Sequence, residues 1–285
     1  MSLDSCLALI ESVKDYKVLF VGDSITDEYH YVSPLGKSAK EHLIPVRYKE
    51  KEVFQGGIVA AAKHLTSFCA KVDVDTILPE VRKVRFVDDV HFRKLFEVHY
   101  DDKRSPIAFV PDGYDCVVVT DFGHGCVDGK LISQLSKQPF LAVAAQTNSS
   151  NIGFNLITKY PRADYIVIDE PEARLAAQDR DGHIEDVVQK LAHGRCERFI
   201  VTHGKHGAYG YDNGRFFHQK ALSEHPVDTM GAGDAFFAIT APMAKTGSME
   251  DLLLIGCAAG ALKTQIVGHR NPVTKESLIS FIKGL

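Results

Sequence analysis

Long apolar runs, a leader-like start and a strong charge imbalance are all missing from this 285-residue sequence. No apolar run reaches the ~18 residues that a membrane span needs. Residues 1–13 mix polar and apolar side chains, unlike a signal peptide. A net charge of -4 argues against nucleic-acid binding carried by bulk positive charge. We therefore expect a soluble cytoplasmic protein that has neither a membrane nor a nucleic acid as partner.

The cysteines and histidines lack the spacings of common metal sites. None of the six cysteines forms a C-x-x-C pair, and several lie in apolar runs. Buried free thiols in a reducing compartment are the expected state. The thirteen histidines contain no H-x-x-x-H or H-E-x-x-H pattern, so a zinc-dependent hydrolase is not indicated.

Apolar strands alternate with helical patterns along most of the chain. Strands that are apolar throughout are typical of a parallel sheet covered on both faces. Five such runs lie at residues 17–21, 116–119, 140–143, 165–168 and 199–201. Helical patterns lie near residues 130–137, 171–178, 184–193, 233–245, 250–264 and 274–283. The alternation predicts a doubly wound α/β fold, with a mostly parallel central sheet flanked by helices.

Two segments depart from this pattern and predict a small β lid. Residues 44–54 and 83–100 alternate like partly exposed strands. We expect a lid built from segments near 28–55 and 83–101, within a single domain of residues 1–285. A hairpin is expected at 208–217, where Asn213-Gly214 suits a type I′ turn.

The strongest local signal is the string D-T-M-G-A-G-D at residues 228–234, followed at once by a helical pattern. Small residues let the backbone turn sharply and approach a ligand. The start of a helix then offers free N–H groups and the positive end of its dipole to an anion. An acid at that point can accept the proton of a hydroxyl that attacks a phosphoryl group. A helix cap without chemistry is the alternative.

This string resembles the D-T-x-G-A-G-D signature of the ribokinase-like (PfkB) carbohydrate kinases. The resemblance implies that Asp234 is the catalytic base and that Asp228 lies beside the substrate. It also implies that the backbone of Gly231, Ala232 and Gly233 forms an anion hole for the transferring phosphate.

A second segment resembles the nucleotide side of that family. T-H-G-K-H-G at residues 202–207 is similar to the family's strand-end T-x-G-x-x-G. The resemblance places Thr202, Gly204 and Gly207 at the nucleotide. A plain turn before the hairpin is the alternative.

The sugar side resembles the branch that phosphorylates heptose phosphates. G-D-S-I-T-D at residues 22–27 is similar to that branch's G-D-x-x-x-D, so Asp23 and Asp27 would bind sugar hydroxyls. Carboxylate oxygens suit this task because each accepts hydrogen bonds. Gly56 and Gly57 resemble the di-glycine against which the sugar lies, and residues 119–125 resemble a further heptose-kinase segment.

Three departures from the family pattern bear on the site. No Asn follows Gly56 and Gly57 at the usual spacing. The family's usual N-x-x-E, which lies near magnesium, appears here as D-E-P-E at residues 169–172. Asp169 and Glu172 are therefore candidate metal ligands. An ordinary helix start, with proline and acids in its first turn, explains these residues equally well. The stretch from 72 to 85 is short, so part of one βα unit would be absent.

The resemblance implies ATP-dependent phosphoryl transfer to a sugar or sugar phosphate, with heptose phosphate as the leading substrate class. ATP and Mg²⁺ are the implied cofactors, and K⁺ is a further candidate. A homodimer through the lid is the implied assembly. Two alternatives remain open: a kinase for a nucleoside or a hexose phosphate, and a non-catalytic kinase-fold binding protein.

Overall fold

The computed structural model describes residues 3–77, 81–101, 105–223 and 225–285. Its strands are β1 (Lys17–Gly22), β2 (Ser24–Pro34), β3 (Val46–Gly56), β4 (Lys71–Asp75), β5 (Val81–Asp88), β6 (Lys94–Tyr100), β7 (Cys116–Asp121), β8 (Leu141–Ala145), β9 (Tyr165–Asp169), β10 (Arg198–Thr202), β11 (Ala208–Asp212) and β12 (Arg215–Gln219). Its helices are α1 (Leu3–Ser12), α2 (Gly57–Lys63), α3 (Gly129–Leu135), α4 (Glu170–Ala177), α5 (Ile184–Ala192), α6 (Ala232–Met243), α7 (Met249–Lys263) and α8 (Lys275–Lys283).

Eight strands form the central sheet, in the order β12-β11-β10-β9-β8-β7-β1-β4. The strands from β10 to β4 pair in parallel, and β11 and β12 add an antiparallel edge. Alternate residues of β1 enter different cores: Phe20 packs with α1, α2 and α6 to α8, whereas Leu19 packs with α3 to α5. Helices therefore cover both faces, and the predicted doubly wound fold is confirmed.

A second sheet of four strands, in the order β3-β2-β5-β6, forms what we call the lid. Only Asp23 separates β1 from β2, so the chain passes directly from the central sheet into the lid. β2 pairs antiparallel with β3 and parallel with β5. Asp23 therefore lies at the carboxyl end of β1, where ligands bind in such folds, and Asp27 lies just beyond it, near the start of β2.

The short stretch noted in the sequence links the two sheets. β4 ends at Asp75 and β5 begins at Val81 in the lid. The five residues between them, of which 78–80 lie outside the described part of the chain, leave no room for a helix and a further strand. The sequence expectation of a reduced βα unit agrees with this connection.

Several smaller expectations also agree with the structure. Asn213 and Gly214 both adopt positive φ, at 48° and 88°, as a type I′ hairpin requires. All six cysteines are free thiols. Across the described ranges, no helix has both the length and the apolar character to span a bilayer.

We predict that His64 makes stability depend on pH in mildly acidic solution. Its buried Nδ1 accepts the Val273 N–H at 2.8 Å, and burial, with Lys263 and His269 nearby, lowers its pKa to about 3. Since the unfolded chain takes up this proton near pH 6.5, stability falls as pH drops from 6.5 toward 3, by about 1.4 kcal/mol per unit.

Urea unfolding of wild type and His64→Asn between pH 7 and 5 checks this. The free energy of unfolding of the variant should fall less steeply with decreasing pH. The difference from the wild-type slope should reach up to about 1.4 kcal/mol per pH unit, the contribution of one proton. The same substitution at exposed His193 should leave the slope unaltered. Equal slopes for wild type and His64→Asn would contradict the prediction.

Candidate active site

The start of α6 has the geometry of an anion site. Gly231 caps the helix in the left-handed conformation, with φ of 72°, and a Cβ there would lie 3.0 Å from the His269 ring. The first helical hydrogen bond joins Ala235 N to Gly231 O at 2.9 Å, and earlier N–H groups of a helix have no acceptor within it. Open space lies beside Gly233. An anion can therefore approach the helix end.

Asp234 lies in the first turn of α6, next to this anion site, and is partly exposed. Gln146, just beyond β8, donates from Nε2 to the Asp234 Oδ1. Desolvation raises the pKa of the Asp234 carboxyl, although His269, the Gln146 hydrogen bond and Lys263 act in the opposite direction. A carboxylate with a raised pKa is a better proton acceptor.

Asp27 lies near the start of β2 in a buried cationic setting. Arg85 of β5 donates to Oδ1, and His269 Nε2 lies 3.5 Å from Oδ2. Burial alone would raise the pKa of Asp27, but hydrogen bonding from His269 and the charge of Arg85 outweigh it, so the pKa is lowered. A Cβ on Gly56 would stand 2.1 Å from Oδ2. The di-glycine therefore leaves the room that this carboxylate needs.

Asp23 anchors the loop that follows β7. Its Oδ2 accepts the N–H groups of Phe122 and His124, at 2.9 and 3.3 Å, and its Oδ1 accepts that of Cys126 at 3.1 Å. Asp23 also approaches the di-glycine, since a Cβ on Gly57 (φ 56°) would lie 2.4 Å from its carbonyl oxygen. A sugar contact for Asp23 stays a prediction.

Asp228 joins three parts of the molecule through one buried carboxylate. Oδ1 accepts from Lys94 Nζ at 3.0 Å and from Met230 N at 3.2 Å. Oδ2 accepts from Gly268 N at 2.9 Å and from the Tyr29 hydroxyl at 3.2 Å. Tyr29 and Lys94 belong to the lid, so Asp228 ties the lid to the D-T-M-G-A-G-D loop. Its role beside the substrate stays a prediction.

The predicted nucleotide residues lie at the end of β10. Thr202 is in register with Asp169 of the neighbouring parallel strand β9. Gly204 has open space beside it, and its φ is 49°. Gly207 has a structural reason to be glycine, because a Cβ there would stand 1.9 Å from Gln219 O. Nucleotide contacts by Thr202, Gly204 and Gly207 stay predictions.

Asp169 and Glu172, the two candidate metal ligands, form a capping box at the start of α4. Glu172 accepts Thr147 N at 2.8 Å and Asp169 N at 2.9 Å with its two oxygens. Asp169 Oδ1 accepts Glu172 N at 2.8 Å. Burial, and then the Asp169 charge, raise the pKa of Glu172 to about 8.

Asp169 and Glu172 could supply only part of the ligands of a magnesium ion. The described ranges contain no group of three or more histidine, cysteine or acidic side chains that could hold a metal. Mg²⁺ commonly binds through one or two carboxylates, phosphates and water, and Asp169 keeps one oxygen outside the capping box. The donor set therefore suits an ion held mainly by a nucleotide.

Five side chains of this site were not singled out as site residues from the sequence. Only Gln146 carried a signal, as the first residue of a polar cluster at a strand end. The others reach the site from lid strands, from the end of α7 or from the segment after it, with no motif around them. The five are Arg85, Lys94, Gln146, Lys263 and His269.

Comparisons with known proteins show similarity to carbohydrate kinases. Residues 149–276 match the profile of the pfkB family of carbohydrate kinases. Probable fructokinase-6, chloroplastic, of Arabidopsis thaliana is 30% identical over 142 residues, 47% of this chain and 37% of that protein. The bifunctional protein HldE of Rhodopseudomonas palustris is 23% identical over 85% of this chain and 58% of that protein. The alignments thus span less than two thirds of these relatives.

Solved structures show the same fold over nearly the whole chain. Arabidopsis thaliana ribokinase, complexed with ribose and ATP, superimposes with a TM-score of 0.71, covering 94% of this chain and 99% of that one at 16% identity. The fold is therefore that of the ribokinases, and the chain is similar to the pfkB family of carbohydrate kinases over residues 149–276, which include the D-T-M-G-A-G-D loop.

We predict that Gly56→Ala destabilises the protein by about 1–3 kcal/mol, as overpacking does, because the new methyl group would collide with the Asp27 carboxylate. Gly129→Ala is the matched control, since Gly129 begins α3 with open space around it. Urea unfolding of the two variants checks this. Equal free energies of unfolding for the two variants would contradict the predicted collision between the new methyl group and the Asp27 carboxylate.

Proposed function

We propose that this protein is an ATP-dependent kinase that transfers a phosphoryl group to a hydroxyl of a sugar phosphate. The observation that carries the proposal is Asp234 at the open N terminus of α6, in a loop that matches the pfkB signature. The pfkB profile match over residues 149–276 and the ribokinase-like fold support sugar kinase activity in general. The choice of acceptor and the role of Asp234 go further and rest on the site.

The proposed mechanism follows from the positions of the side chains. A sugar hydroxyl next to Asp234 gives up its proton to the carboxylate as its oxygen attacks the γ-phosphoryl group. Negative charge on the transferring group would meet the N–H groups of Gly231 to Gly233 and the positive end of the helix dipole. ATP would lie along Thr202 to Gly207. Bound Mg²⁺, near Asp169, would neutralise phosphate charge.

The sugar side is rich in cations, which favours a phosphorylated substrate. Lys83 of β5 is only 6% exposed. Burial, and then repulsion from Arg85, lower its pKa, while nearby Asp27, Glu97 and Asp101 act to raise it. Buried cations of this kind suit a phosphate, which accepts charge-assisted hydrogen bonds. With the G-D-S-I-T-D match, they support a heptose phosphate; a hexose phosphate is the second candidate.

The outer face of the lid supports a homodimer. Its exposed side chains include Tyr48, Phe96 and Tyr100, which are 55%, 51% and 48% exposed, respectively. An exposed apolar patch on a sheet is a common association surface. We therefore include self-association through the lid in the proposal.

We predict that Asp234→Asn lowers sugar-dependent turnover by about 10²–10⁴-fold, the usual contribution of a positioned base. ATP binding should change little, because the amide keeps the shape of the carboxylate. ADP release from ATP–Mg²⁺, measured over a panel of sugars and sugar phosphates, checks this. Asp181→Asn, on a side chain 92% exposed, is the control. Turnover that survives Asp234→Asn would contradict the assignment of the base.

We predict that Lys83→Met raises KM for a sugar phosphate about tenfold or more, the loss expected from one hydrogen bond to a charged group. The KM of the corresponding unphosphorylated sugar should stay unchanged. Lys37→Met, on an exposed lysine in the connection between β2 and β3, controls for the loss of one positive charge. An equal change for both sugars would show that Lys83 does not select the phosphate.

A further inference from the structure

Lys263, the last residue of α7, is a fully buried lysine behind the anion site. Its Nζ donates to three backbone carbonyls: Met230 O at 2.7 Å, Gly268 O at 2.7 Å and Ile266 O at 3.3 Å. A protonated lysine has three N–H donors and a neutral amine has two. The three acceptors therefore match an ammonium ion.

The surroundings of this ammonium resemble a binding site for a monovalent cation. Backbone carbonyl oxygens can replace the hydration shell of K⁺, as they do in potassium channels. Here the group of carbonyl oxygens, which we call the cage, surrounds the ammonium of Lys263 instead. Burial lowers the pKa of Lys263, and the charges of Asp228 and Asp234 offset this only in part. The three hydrogen bonds and the two nearby carboxylate charges reduce the cost of burying this cation.

The cage also contacts the D-T-M-G-A-G-D loop. Met230 O belongs to the residue before Gly231, and the Lys263 Cε lies 3.4 Å from where a Gly231 Cβ would stand. Gly268 O belongs to the residue before His269. One ammonium group thus fixes both backbone segments that flank the anion site, and adds a positive charge near it.

We propose that Lys263 is a built-in replacement for a monovalent cation, so that phosphoryl transfer needs no K⁺. A separate K⁺ does not fit in this cage, because the lysine ammonium already takes its carbonyls. Lys263 is a positioning residue: it holds Met230 and Gly231 in place and does not contact the substrate. The kinetic part of this inference rests on the proposed kinase function.

The native protein provides the first test. Turnover and thermal midpoint are measured while KCl replaces tetramethylammonium chloride at constant ionic strength. We expect no change in either. A stimulation by K⁺ of about tenfold or more, equal to 1.4 kcal/mol of barrier, would overturn the proposal.

A pair of variants provides the second test. Lys263→Ala removes the ammonium and leaves space, whereas Lys263→Met fills that space with apolar atoms. Both should lose turnover and thermal stability. K⁺ or NH₄⁺ should raise the thermal midpoint and the turnover of the alanine variant but not of the methionine variant. Equal responses of the two variants would overturn the proposal.

The two readouts separate this inference from the kinase proposal. If the native chain turns over no sugar, the kinase proposal fails, yet the cation effect on the thermal midpoint of Lys263→Ala still decides the role of Lys263. If Lys263→Ala does not fold, the potassium titration of the native protein decides it.

Discussion

The site depends on one buried carboxylate, that of Asp228. A buried charge is stable only when its partners are in place, and here the partners come from separate parts of the chain: Tyr29 and Lys94 in the lid, and Gly268 after α7. Satisfying Asp228 therefore requires the lid, the D-T-M-G-A-G-D loop and the α7–α8 connection to come together. The same contacts set the position of the anion site at the start of α6.

The other acids of the site are also balanced by cations or hydrogen bonds. Three acids meet within one region, and each is matched by a cation or a hydrogen bond from another element. The acids are Asp27, Asp228 and Asp234, and their partners include Arg85, Lys94, Gln146, Lys263 and His269. The balance leaves Asp234, whose pKa is raised, as the acid most suited to take a proton.

The sequence predicted what is encoded locally. Apolar strands, the Asn213-Gly214 turn and the helix after residue 231 follow from neighbouring residues, and the structure contains them. The partners of Asp27, Asp228 and Asp234 come from tertiary contacts, so no spacing indicated Lys263 or His269. Asp23 shows the same limit: the G-D-S-I-T-D match predicted a sugar contact, but no local pattern indicated its three contacts with the backbone of the loop after β7.

The most direct test of the account is ³¹P nuclear magnetic resonance of the protein with ATP–Mg²⁺ and single sugar phosphates, heptose and hexose phosphates among them. We expect the ATP γ resonance to decline while a new phosphate ester resonance grows on one sugar phosphate and ADP accumulates. Loss of ATP only to inorganic phosphate, or no loss with any sugar, would contradict phosphoryl transfer from this site.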